Sequence, residues 1–274
     1  MKAIIKDLFF VLTAASVLFF SSCSGGIQDE MTEVSVNPVS EDALISELET
    51  SAEEAVPQDS PSPAENVPDR PSPDEDGYFS NSVIIGDSVS SSLQTYLNTE
   101  QEALDGVLIF SIENYAYYAA AMGVPVSYRG VNRNIRETVN TIGCDKLFLL
   151  LGMNDVVSGG PEKAYESAME LVGILTRECP ETKLFLQGMT PSSIDSSYNK
   201  ITRDNILSFN RLLKDSAEEK GYCYIDVFDV FADENGYIKK EYAGDHYVHM
   251  KSSAGRPWAE ALRDPANYYN LPEE

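Results

Sequence analysis

Ser82-Val83-Ile84-Ile85-Gly86-Asp87-Ser88-Val89 is the stretch whose reading decides the fold. Three consecutive β-branched residues make a short buried strand, and Gly86 ends it at a turn. Ser90 to Leu97 then continues with helical spacing, so the chain passes from strand to helix through Gly86-Asp87-Ser88. A serine at that junction projects its hydroxyl over the carboxyl edge of a sheet. Backbone N–H groups at the start of the helix face the same space and can meet a developing negative charge.

Outward from this junction, short β-rich runs alternate with amphipathic helical stretches, the pattern of a parallel sheet covered on both faces. Further strands are expected at Val107 to Ile112, Lys146 to Leu151, Lys183 to Gln187 and Cys223 to Val227. Between them, Pro161 to Arg177 carries Ala164, Ala168, Leu171, Ile174 and Leu175 on one face, with Pro161 suited to a first helical turn. Asp204 to Lys220 places Ile206, Phe209, Leu212 and Leu213 together and stops at Gly221, a C-cap residue. A third helix is expected over Val131 to Ile142. The expected fold is α/β: one three-layer αβα, doubly wound domain over residues 78–274, with a mostly parallel five-stranded sheet.

Two further segments fall where such a sheet does chemistry. The strand ending at Leu151 runs into Gly152-Met153-Asn154-Asp155, and Asn154 there offers a neutral N–H donor that needs no titration. A loop asparagine making a local turn is the plainer alternative. Near the end, Asp245-His246-Tyr247-Val248-His249-Met250 contains both histidines of the chain and precedes a helix through Trp258, Ala261 and Leu262. Nucleophile, donor and base are thus all present in chain order.

Together these segments resemble the SGNH/GDSL hydrolase family, whose fold is flavodoxin-like, over about Tyr78 to Leu262. Gly86-Asp87-Ser88-Val89 is similar to its GDS(L) block, with valine in place of leucine. Gly152 to Asp155 is similar to its G-x-N-D block, and the closing segment to its D-x-x-H block. The resemblance implies Ser88 as nucleophile, its own N–H and the Asn154 side chain as oxyanion donors, and His249 as general base, with no metal and no cofactor.

This chain departs from the family pattern at two places. The family has a glycine after the second strand as a third oxyanion donor, whereas Phe110-Ser111-Ile112-Glu113-Asn114 has none. Asn114, which tolerates left-handed backbone angles, is expected to take that place; Gly130, in Tyr128-Arg129-Gly130-Val131 ahead of the third helix, is the rival. Asp245 also lies four residues before His249 instead of three, and His246 stands in the family's aspartate slot. Either a local bulge lets Asp245 reach the imidazole, or the pair Ser88 and His249 acts alone.

The first 23 residues carry Lys2 and Lys6, an apolar run from Leu8 to Phe20, then Phe20-Ser21-Ser22-Cys23. The run is about 13 residues, short of the roughly 20 that span a bilayer, so residues 1–23 are expected to be a secretory signal. The final four residues resemble a lipobox, which implies lipidation of Cys23 and a membrane contact through that anchor alone; a secreted protein is the alternative. Residues 24–77 hold seven of the 14 prolines, and Arg70 is the only cation among 15 acidic residues. Such a composition is expected to form an extended, disordered tether.

A net charge of −24 argues against nucleic acid as a partner, because phosphate binding needs a basic surface. Cys144, Cys179 and Cys223 lack the spacing of a zinc site and precede apolar runs, so they are expected to be packing residues, with a disulfide between two of them left open. The expected activity is hydrolysis of carboxylic esters at the cell surface by an acyl-enzyme route, with O-acetyl groups on glycans or cell-wall polymers as the ester substrate. Two alternatives stand beside it: a surface binding protein on the same fold, and an acyltransferase or lysophospholipase.

Overall fold

The structure is a computed structural model that describes residues 77–193 and 200–270. The signal 1–23 with Cys23, the tether up to residue 76 and the last four residues of the expected domain lie outside the described residues.

The first half of the described chain runs β1 (Ser82–Gly86), α1 (Ser91–Thr99), β2 (Leu108–Ser111), α2 (Tyr117–Ala121), β3 (Val126–Tyr128), β4 (Val131–Arg133), α3 (Ile135–Ile142), β5 (Lys146–Leu150), α4 (Met153–Gly159) and α5 (Pro161–Glu178). It continues with β6 (Lys183–Gln187), α6 (Arg203–Lys220), β7 (Cys223–Ile225), α7 (Phe228–Phe231), α8 (Gly255–Arg263) and β8 (Tyr268–Tyr269). The main sheet has the order β2-β1-β5-β6-β7-β8, parallel except for β8. The chain leaves β1 for β2 on one side and returns to β5 on the other. Ser88, just past β1, therefore stands at a topological switch point, where open α/β sheets bind ligands.

All five residues of β1 are buried, as expected of a strand covered on both faces. Phe148 and Phe185, on neighbouring strands, stack with centroids 4.4 Å apart, and each such buried ring contributes about 1.5–3 kcal/mol. Helix ends follow local chemistry. Asn134 and Glu137 form a capping box at the start of α3, and Gly221 ends α6 in the left-handed region.

The structure corrects the expectation in two places and decides a point it left open. The five expected strands are joined by a sixth, β8, a two-residue strand antiparallel to β7. The helix expected from Val131 starts at Ile135, because Val131–Arg133 pairs with Val126–Tyr128 in a hairpin turned by Arg129 and Gly130. Both turn residues have positive φ, 51° and 74°, as two-residue hairpins require. The open point concerns the cysteines: Cys144, Cys179 and Cys223 are buried, as expected of packing residues, and free, so no disulfide joins them. Burial pushes the Cys144 thiol up to about 12, in keeping with an inert packing role.

Candidate active site

The nucleophile turn is built around Asp87. Its carbonyl accepts the Ser90 N–H, the Ser90 hydroxyl at 2.7 Å and the Ser111 hydroxyl at 2.9 Å, and its carboxylate accepts the Val89 N–H at 3.0 Å. The turn is also crowded. A Cβ at residue 86 would lie 2.7 Å from the Ser90 Cβ, so only glycine lets Ser90 fold back under the strand end. Ser88 opens a single 3₁₀ turn, Ser88–Ser90, which leaves its N–H without an intrahelical acceptor.

The Ser88 Oγ lies 3.0 Å from His249 Nε2, and His249 Nδ1 lies 2.6 Å from Asp245 Oδ2. A carboxylate only accepts, so the proton between His249 and Asp245 sits on Nδ1. Nε2 is then the acceptor for the Ser88 hydroxyl. Asp245 reaches His249 across four residues because its other oxygen, Oδ1, accepts the Tyr247 N–H at 2.7 Å and the His249 N–H at 3.1 Å. That local turn takes up the extra residue. Desolvation works against the Asp245 charge, yet the hydrogen bonds from the His249 ring and the two N–H groups hold its carboxyl below the usual carboxylate value.

The loop bearing these residues is closed on itself. Gly244 N–H donates to His249 O at 2.8 Å, and Lys251 N–H to Tyr242 O at 2.8 Å. A Cβ at residue 244 would lie 2.9 Å from His249 O, so glycine permits the closure. Ser193 adds a second clamp, donating its N–H to Tyr247 O at 2.6 Å and its hydroxyl to Asp245 O at 3.1 Å. Val248 and Met250 anchor the loop in the core, while His246 is exposed and His249 half-buried. His246 makes no bond to Ser88.

Asn154 stands on the first turn of α4. Gly152 before it has φ of 127°, and a Cβ there would lie 2.7 Å from the Phe209 ring. The Asn154 amide donates one N–H to Tyr115 O at 2.9 Å and has a second N–H left to give. Asp155 is the residue whose role the sequence did not disclose. Its carboxylate accepts the N–H groups of Tyr117 and Tyr118 at 2.9 and 3.0 Å, capping α2 and fixing the loop from Ile112 to Ala116. Burial raises its carboxyl to about 6 despite those two bonds. Burial likewise pushes Asp87 up to about 7, against the pull of the Val89 N–H. Asp87, just ahead of the Ser88–Ser90 turn, carried the local signal of a cap, whereas Asp155 braces a helix 38 residues away and carried none.

Of the two expected sources of a third donor, Asn114 lies in the anchored loop with φ of 57°, one residue before the carbonyl that Asn154 holds. Gly130 has its positive φ committed to the β3–β4 hairpin tip. The rest of the support is apolar and hydrogen-bonded: Trp258 of α8, fully buried, donates its indole N–H to Gln187 at 2.7 Å, at the end of β6. Among the described residues no cluster of three or more His, Cys, Asp or Glu could hold a metal ion.

With Ser88 hydrogen-bonded to an oriented imidazole and neutral donors nearby, the arrangement can deprotonate a hydroxyl and receive a tetrahedral oxyanion. Comparison with known proteins agrees in kind. The model of the GDSL-like Lipase/Acylhydrolase family matches residues 84–254, more than half of the chain. A Bacteroides fragilis protein assigned as an acylhydrolase superposes with a TM-score of 0.53 at 17% identity, covering 73% of this chain and 90% of that one. A GDSL-like lipase from Bacteroides thetaiotaomicron gives 0.52 at 14% identity, over 66% of this chain and 85% of that one. At these identities the likeness is one of fold. No curated protein matches the chain significantly.

Proposed function

The chain belongs to the GDSL-like lipase/acylhydrolase family and is a serine ester hydrolase, and from that premise we propose that Ser88, His249 and Asp245 are its catalytic residues and that it removes O-acetyl groups from glycans or cell-wall polymers. The observation that carries the reading is the continuous hydrogen-bonded relay from Ser88 Oγ through the His249 ring to Asp245.

In this mechanism His249 Nε2 takes the Ser88 proton as Oγ attacks the ester carbonyl, and Asp245 stabilises the imidazolium that forms. The oxyanion is met by the Ser88 N–H, the second Asn154 side-chain N–H and the Asn114 N–H. Collapse breaks the bond to the alcohol oxygen, which takes the proton from His249. Water, deprotonated by His249, then attacks the acyl-enzyme and releases the acid with Ser88 restored.

The acetylated glycan is supported by place. The signal-like residues 1–23 and the lipobox-like ending at Cys23 support an extracytoplasmic protein held to the membrane by a lipid. The acidic, proline-rich residues 24–77 then serve as a tether that holds the domain out from the bilayer. A screen of acetylated glycans with acetate release as readout tests the substrate class. Release from at least one polymer, lost in Ser88→Ala, supports it; release only from long-chain lipid esters contradicts it.

A further inference from the structure

Beside Asn154 the surface opens into a cavity of about 270 Å³ that runs along α4, with Ala116, Tyr118, Ser158, Gly159 and Lys163 among its walls. It begins at the residue proposed to meet the oxyanion, so a group seated in it adjoins the carbonyl under attack. Its volume lies just below the range of about 300–1,000 Å³ typical of pockets for drug-sized ligands, which suits one ring and not a long chain.

Two walls are chemically specific. Tyr118 is 59% exposed, although its neighbour Tyr117 is fully buried, and the bond from its N–H to Asp155 fixes the backbone beneath it. An aromatic ring held open to solvent offers a face for the C–H surface of a sugar. Lys163, which also lines the cavity, is exposed, and its ammonium makes no ion pair or hydrogen bond among the described residues, although Glu162 and Glu166 are close in sequence. Its stem lies across Gly159: a Cβ at 159 would be 2.7 Å from the Lys163 Cβ, so the bare glycine gives the lysine its path. Lys200 adds a second cation at this end, its Nζ 3.5 Å from Ser158 O. In a chain of net charge −24, two cations stand by Ser158 and Gly159 at one end of the cavity and favour an anionic occupant there, while the Asp155 carboxylate that also lines it is committed to the Tyr117 and Tyr118 N–H groups.

We infer that this cavity is a binding subsite for a pyranose unit bearing a carboxylate, stacked on Tyr118 and paired with Lys163, so that the preferred substrate is an acetylated acidic glycan. The inference rests on the proposed roles of Ser88 and Asn154. The test compares kcat/KM on an acetylated oligouronide and on an acetylated neutral oligosaccharide of equal length, with p-nitrophenyl acetate as a control for the catalytic centre of the wild type. Wild type should favour the acidic substrate. Lys163→Gln should lower the acidic-to-neutral ratio by about 2- to 5-fold through KM, in the range of an exposed ion pair, and Lys163→Glu by more. Glu166→Gln, a nearby charge change on the same helix, should leave the ratio as in wild type. Tyr118→Ala should raise KM for both oligosaccharides. An unchanged ratio in both Lys163 variants overturns the subsite, as does a change confined to the preference between p-nitrophenyl acetate and butyrate, which would assign the cavity to the acyl group. Failure of the wild type on p-nitrophenyl acetate and on both oligosaccharides would instead sink the catalytic reading itself.

Discussion

Asp245 holds His249 through both carboxylate oxygens: Oδ2 lies 2.6 Å from the ring Nδ1, while Oδ1 accepts the backbone N–H of the same residue at 3.1 Å. Ring and backbone of His249 are therefore oriented by one side chain. The four-residue spacing is compatible with this because the Tyr247 N–H is drawn into the same turn.

Asp245→Asn should consequently lower kcat on an ester substrate by about 10² or more, because an amide can present a donor to Nδ1 and favour the wrong tautomer. His246→Ala, at an exposed position, should change kcat by less than about twofold. Steady-state kinetics on p-nitrophenyl acetate decide the order. A larger loss in His246→Ala than in Asp245→Asn would contradict the assignment.

Asn154→Ala should lower kcat by about 10² to 10³ with a small change in KM, the expected effect of losing one oxyanion donor. The same change frees Tyr115 O, so circular dichroism should accompany the kinetics. Near wild-type turnover in a folded variant would reduce Asn154 to a loop anchor.

The five parallel strands of the main sheet were legible because buried parallel strands are continuous apolar runs, and Lys183–Gln187 and Ser82–Gly86 coincide with their expected bounds. The β3–β4 hairpin was not. Its strands have three mostly exposed residues each, which show neither an apolar run nor a clear alternation, and Arg129 adopts a positive φ that its residue type does not announce. Ser88, Asn154 and His249 were legible as motif residues. The reach of Asp245 was not, because spacing alone cannot tell whether Oδ1 recruits the Tyr247 N–H. Asp155 and Asp87 passed as motif letters; that they are buried and brace the α2 loop and the nucleophile turn is visible only in three dimensions.

Stability should depend on pH through Asp87. Its carboxyl rises from 3.8 to about 7 on burial, so the folded state binds the proton more tightly than the unfolded chain. This contribution is fully present below about pH 4 and is lost as pH rises through about 7. Asp87→Asn keeps an acceptor for the Val89 N–H and removes the charge. Thermal melts should show the variant gaining stability over wild type as pH rises from 4 to 8, about 2–4 °C for each kcal/mol gained. A constant difference across that range would contradict the buried charge.

The anchor proposal predicts that wild type partitions with membranes through an acylated Cys23 and that Cys23→Ser does not. Intact mass of the mature protein reads this directly. An unmodified Cys23, or a mature start elsewhere, would contradict it.

The central claim is that His249 activates Ser88 and no other hydroxyl. Reaction with a fluorophosphonate ester, followed by peptide mass mapping, measures this without choosing a substrate. The account predicts a single adduct, on Ser88, formed at least about 10²-fold more slowly in His249→Ala. An adduct on another residue, or labelling of Ser88 at an unchanged rate in His249→Ala, would contradict it.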